Sequence, residues 1–171
     1  MSTLSKDALE LAKKIKEGLP GKPKPPDDGL SPSTENVIPF SVVRGTRGYI
    51  EKVTNQVNGT YENGWFDACA VMIRRLMETL IIETFEHHGI ANKIMNSTGD
   101  FLQLHDLVEK TLNEPSWNLS RGTKRALPKF KSIGDLSAHS RRFLAHRPDI
   151  EKNIDDLRVV VQELVYLASL K

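Results

Sequence analysis

Apolar positions recur at spacings of three and four over most of the chain, the periodicity of helices packed on one side. Leu4, Ala8, Leu11, Ala12 and Ile15 predict a short helix over 4–18. From Arg47 to Asn63, the residues Tyr49, Ile50, Val53, Val57 and Tyr61 form one apolar stripe, and Asn63-Gly64 ends it. The strongest pattern is residues 65–88, where Phe66, Cys69, Ala70, Ile73, Leu76, Met77, Leu80, Ile81 and Phe85 cover more than one face. Gly89, just beyond, suits the left-handed position after a helix C-terminus.

Asp100 is placed to cap a helix over 100–114 with Phe101, Leu104, Leu107, Val108 and Leu112 as its apolar side and Pro115 as its stop. A short helix near 120–126 follows, then a second one beginning at Pro128 and running to Ser140, because proline suits a first helical turn. Pro148-Asp149 signals the last start, and Ile150, Ile154, Leu157, Val160, Val161, Leu164, Val165 and Leu167 carry that helix over 149–170. No segment alternates with a period of two, and no turn dipeptide separates two strand-like runs. The predicted fold class is all-α, a bundle of about five helices.

Six of the nine prolines fall between Pro20 and Pro39. That density predicts an extended linker over 19–39, dividing the chain into a tethered helical arm (1–18), the linker, and a helical domain over 40–171. The arm is a candidate for docking on its own domain or on a protein partner. A length of 171 residues, 39% hydrophobic and 27% charged, fits one soluble domain with an appendage, large enough to bury a core without staples. A single cysteine, Cys69, excludes an internal disulfide framework and a Cys-based zinc knuckle, and fits a reducing compartment. The start of the chain has no apolar signal segment, and nowhere do about 18 apolar residues run together. A cytoplasmic location without membrane association is expected. The sequons at Asn58, Asn96 and Asn118 are accordingly not expected to be glycosylated.

The formal net charge of +2 conceals an asymmetry. Residues 1–38 are net neutral, 39–114 carry −3 and 148–171 carry −2, whereas 115–147 carry eight Lys/Arg against the single acid Asp135, a net +7. Such a stretch is either a solvated face or a surface for a polyanion. Arg121, Lys124, Arg125, Lys129, Lys131 and Arg147 are its candidate nucleic-acid contacts.

Metal and nucleotide chemistry find little support. His87 and His88 are adjacent and cannot form the four-residue chelate of a helical zinc site; they suit a helix C-terminus instead. His105, beside Asp106, has no ligand-spaced partner in this reading. No His-Glu-x-x-His, phosphate-binding Gly-x-x-x-x-Gly-Lys or Gly-x-Gly-x-x-Gly motif occurs, and no cofactor or metal is expected. Arg74 and Arg75 stand four and three residues before Glu78 on the most apolar helix, so either can form a structural ion pair with it.

The chemistry, if any, lies between Lys131 and His146. Asp135 and His139 are four apart, which on a helix lets the carboxylate orient the imidazole. Arg141 and Arg142 follow at the helix end, where a guanidinium can clamp a phosphate. One proton-transfer group and one cation for developing phosphate charge are the minimum for metal-free RNA cleavage through the 2′-hydroxyl. The competing reading makes His139 a bridge between two helices.

The blocks Tyr61-Glu-Asn-Gly-Trp-Phe-Asp-Ala-Cys-Ala-Val-Met-Ile-Arg-Arg-Leu-Met-Glu78 and Ile133-Gly-Asp-Leu-Ser-Ala-His139 resemble the HEPN superfamily of helical domains, closest to a bacterial branch of unknown function. The resemblance spans about residues 40–170. It implies a bundle of four to five helices that often dimerises, and in many members metal-independent ribonuclease activity in toxin–antitoxin or phage-defence systems. The signature implied is an arginine, a polar residue and, after four to six positions, a histidine. With His139 in the histidine position, Gly134 falls where the arginine is expected and Lys131 is the nearest upstream base; Arg141 and His146 meet the strict spacing, with Arg142 following the arginine. Both placements stay open.

Three functions compete on the sequence alone: an RNA-directed HEPN-like protein acting as an endoribonuclease, an inactive relative that binds nucleic acid or nucleotides, and a protein-interaction module. The broad apolar coverage of 65–88 and 150–167 adds the expectation of a homodimer.

Overall fold

The computed structural model describes residues 37–171. The expected arm over 1–18 and most of the linker over 19–39 lie outside them. Among the described residues the chain forms seven α-helices and no β-strand: α1 (Phe40–Val43), α2 (Gly48–Glu62), α3 (Phe66–His87), α4 (Leu104–Asn113), α5 (Arg121–His139), α6 (Arg147–Glu151) and α7 (Ile154–Leu167). The all-α bundle is thus as the periodicity predicts, with α1 and α6 as short additions to five principal helices.

The longest helix, α3, is the axle of the bundle, with α2, α4, α5 and α7 all packed against it. Its apolar residues go round more than one face for that reason, and Cys69, Ile73, Leu76, Met77, Leu80, Ile81 and Phe85 are all buried. Burying each large aliphatic side chain is worth roughly 1.5–3 kcal/mol, so this axle dominates the core. The apolar excess of 65–88 is therefore consumed within one chain. On α7, only Val159 and Tyr166 remain exposed among the large apolar side chains. No described helix is long and apolar enough to cross a membrane.

Two helix ends follow the glycine signals. Gly64 and Gly89 both lie in the left-handed region, with φ of 74° and 68°. At each, the residue after the glycine donates back into the preceding helix, Trp65 to Thr60 O and Ile90 to Phe85 O.

Other boundaries differ from the sequence reading. Asp100 does not cap a helix: α4 begins at Leu104, and Asp100 closes a turn in which the Asn96 side chain accepts from the Thr98 and Asp100 N–H groups. An Asx turn offers the backbone local hydrogen bonds that compete with helix. Residues 120–140 form one helix, not two, because Pro128 lies within α5 on an exposed face. There Lys124, whose carbonyl loses its usual donor, is itself an exposed residue. α5 starts instead at Ser120, whose Oγ accepts from the Thr123 N–H. Glu163 of α7 clasps this start, accepting from Ser120 N and Ser120 Oγ at 2.6 and 2.7 Å and from the Thr123 hydroxyl.

The last predicted helix is broken into α6 and α7 by a turn at Lys152–Asn153. There the Asn153 side chain donates to Asp149 O at 2.9 Å, a side-chain bond that closes the turn between the two helices. The first described residues are pinned to the bundle. Asn58, almost wholly buried, accepts from Val37 N and Ile38 N and donates to Ile38 O, and Arg158 Nε donates to Val37 O at 2.8 Å.

Candidate functional site

The second half of α5 crosses α3 at Gly134. A Cβ at that position would lie 2.5 Å from Arg74 Cβ, so the crossing exists only because residue 134 lacks a side chain. The close approach brings Arg74 alongside Asp135. Arg74 Nε donates to Asp135 Oδ1 at 2.8 Å, and Lys131, one turn earlier on α5, pairs with Asp135 Oδ2 at 3.0 Å. Burial pushes the Asp135 carboxyl up, but the hydrogen bonds from Lys131 and Arg74 outweigh it and hold the group below the usual carboxylate range. Arg74 also reaches Glu78 Oε2 at 3.4 Å. The predicted ion pair is therefore Arg74 with Glu78, extended to Asp135. Arg75 takes no part: it is the neighbouring position on the helix and faces solvent.

Beside this clasp lies an open groove of about 500 Å³ lined by Arg74, Gln103, His105, Lys131, Asp135, Leu136, His139 and Ser140. His139 is the last residue of α5 and is exposed. It donates no hydrogen bond to Asp135, whose two oxygens accept from Arg74 and Lys131. The predicted carboxylate–histidine pair is absent because the Arg74 guanidinium and the Lys131 ammonium make charge-assisted bonds to the carboxylate. His105, in the first turn of α4, faces the same groove from the opposite helix. The sequence offered no signal for this meeting, since it depends on how α4 and α5 pack.

His105 also has a ligand-spaced neighbour that the sequence reading overlooked: the polar atoms of His105, Asp106 and Glu109 lie within 4.8 Å of one another. They stand in the N-terminal turns of α4, where the helix dipole disfavours a cation.

The candidate cations separate into bound and free. Arg125 and Lys129 share Asp156 of α7 at 3.8 and 3.0 Å, and Lys124 reaches the Asn118 amide oxygen at 3.4 Å. Arg147 lies over the rings of Tyr61 and Phe66, 5.0 and 5.5 Å from their centroids, and donates to the Tyr61 hydroxyl at 3.1 Å. Its other neighbour is Glu151, at 3.6 Å. Arg121, Arg141 and Arg142 are exposed and have no anionic partner among the described residues.

His146 stands at the N-cap of α6, where its backbone N–H donates to Asp149 Oδ2 at 3.0 Å and its carbonyl accepts from the Asp149 N–H at 2.9 Å. Arg141 and His146 thus stand at opposite ends of a non-helical loop, whose course is fixed by Ser140 Oγ accepting from Phe143 N and by Asp67 Oδ1 accepting from Ala145 N.

Cys69 offers no nucleophile: burial pushes its thiol up to about 12, and it faces Val57 O in the core. A second crevice, lined by Arg47, Glu83, Glu86 and His87 at the C-terminal end of α7, holds a long Arg47–Glu83 ion pair of 3.6 Å and none of the exposed Arg121, Arg141 and Arg142. Compared with protein-family models, with curated proteins and with solved structures, the chain matches none.

Proposed function

We propose that this protein acts on RNA through the end of α5, the facing turn of α4 and the loop over 140–146, as an HEPN-like domain of a toxin or defence system. The observation that carries this reading is the juxtaposition of His139 and His105 in one groove with Lys131 and Arg74. The unpaired Arg141 and Arg142 follow directly in the chain. Imidazoles on two walls of a groove are suited to taking the proton of a 2′-hydroxyl and returning one to the leaving 5′-oxygen, with no metal required. Cations beside them offset the charge that develops on the phosphate.

Cleavage of single-stranded RNA in the presence of EDTA tests this directly. His139→Ala is expected to abolish turnover. His146→Ala is expected to retain it. Cleavage unaffected by His139→Ala would overturn the assignment.

A second reading, an inactive relative that binds RNA without cutting it, is favoured by one observation. Asp135 engages both groove cations and makes no bond to His139. Its signature is salt-sensitive binding with no EDTA-resistant turnover.

A further inference from the structure

Trp65 is 63% exposed, an unusual setting for the largest apolar ring in the chain. Its backbone is nevertheless fixed. Left-handed Gly64 turns the chain, Trp65 N donates to Thr60 O at 2.9 Å, and Trp65 O accepts from Cys69 N in the first turn of α3. Among the described residues the ring stacks on no other aromatic side chain or guanidinium. A rigid backbone that holds an unpartnered flat ring in water is the form of a stacking platform.

The surroundings supply the charge. Asp67 Oδ1, two residues on, accepts from Ala145 N at 2.9 Å and fastens the arginine-bearing loop to the same turn of α3. Arg147, over Tyr61 and Phe66, adds a cation beside the residue that follows Trp65. Three acids of this region have partners: Asp67 the loop, Asp149 both Lys152 and the His146 N–H, and Glu151 both Tyr61 and Arg147. Arg141 and Arg142 are exposed and have no anionic partner among the described residues. Tyr166, which is still more exposed at 79%, lacks this setting, since its groove contains Glu163 and a Lys171 bonded to Ser41 O.

We infer that Trp65 is a stacking platform for an unpaired base of single-stranded RNA, with Arg141 and Arg142 contacting the adjoining phosphates. The inference rests on the RNA-directed reading above and narrows it to single strands, because only an unpaired base can present its face to an exposed ring. Trp65 precedes Arg74 by nine residues of α3, ~13 Å along the axis, so a strand of a few nucleotides stacked at Trp65 reaches the groove of His139.

The test is a titration of the full chain with oligoadenylate and oligouridylate single strands and with their duplex, followed by tryptophan fluorescence and by anisotropy of labelled RNA. Trp117 serves as an internal reference, because its ring packs on Phe85 and its Nε1 donates to Thr111 O. The expected result is saturable quenching by the single strands and much weaker binding of the duplex. Trp65→Ala should remove the quenching and weaken single-strand binding about tenfold or more, the loss expected for one stacked base. Trp65→Phe, which keeps an aromatic face, should retain most of the affinity, and unchanged circular dichroism in both variants shows that the fold is intact.

Wild-type affinity in Trp65→Ala would overturn the platform and leave the RNA-directed reading standing. Equal binding of duplex and single strand would do the same. No RNA binding by the wild-type protein would overturn both. Quenching that grows with protein concentration in the absence of RNA would assign the surface to a second copy of the chain instead.

Discussion

Gly134 shows how much one missing methyl group can decide. With His139 in the histidine position, the proposed HEPN-like signature would want an arginine here, yet Arg74 Cβ and Cδ occupy the space, at 2.5 and 3.0 Å from any added Cβ. The guanidinium at this point of the bundle comes from α3 instead. Because the crowding atom is the first carbon of the Arg74 side chain and not its flexible end, relief requires the helices to part. Gly134→Ala is expected to destabilise the fold by about 1–3 kcal/mol, as overpacked core positions do. Thermal melting should fall by several degrees, and an unchanged midpoint would refute the close crossing.

Asp135 makes a prediction of opposite chemical kind. Its folded pKa is depressed, so the stabilisation it provides is present above the unfolded value near 4 and is lost as pH falls through the lower folded value. Asp135→Asn should be less stable than wild type at neutral pH, and the difference should shrink below about pH 4. Denaturant melts at several pH values would reveal it, and a pH-independent difference would contradict the ion-pair account. Neither effect was legible beforehand. The sequence pairs Asp135 with its helical neighbour His139, while its partners are Lys131, one turn earlier, and Arg74, 61 residues away.

At the scale of elements, the periodic patterns identified α2, α3, α4, α5 and α7, because each buries one face or more in a common core. The misreadings lie where local and tertiary preferences conflict. Pro128 reads as a helix start, but Phe130 and Leu127 bury on the same side as Thr123 and Ala126, and their burial carries the helix through. An interior proline costs about 3 kcal/mol relative to alanine. Pro128→Ala, at an exposed position, should therefore raise the melting temperature by restoring the bond to the Lys124 carbonyl; a lowered one would mean that the proline fits this helix without penalty.

Asn58 shows the converse. On α2 it reads as a polar residue in a sequon, yet its side chain is buried against Val37 and Ile38, which puts it out of reach of any modifying enzyme. Asn58→Ala leaves two donors and an acceptor unmatched, and each buried unsatisfied group costs about 1–3 kcal/mol. Chemical denaturation should show a loss of at least ~2 kcal/mol, unless water enters to replace the amide.

Over the whole molecule, the charge asymmetry was visible in the sequence, but its distribution was not. The stretch 115–147 carries a net +7, and the fold spends much of it internally: Arg125 and Lys129 on Asp156, Lys131 on Asp135, Arg147 on Glu151. Arg121, Arg141 and Arg142 keep an uncompensated charge, the last two close in sequence to the groove residue His139. The groove itself could only be half foreseen. His139, Lys131 and Asp135 were candidates from their spacing, whereas His105 and Arg74 join them only through helix packing.

The most direct measurement is the affinity of the full chain for a single-stranded RNA as a function of salt. The account predicts binding at low salt, with log affinity falling linearly against log salt by about 0.7 for every phosphate contacted. Replacing Arg141 and Arg142 together by alanine should make that slope shallower by about 1.4. No binding even at low salt, or a slope unchanged in the double variant, would contradict the claim that this face meets RNA.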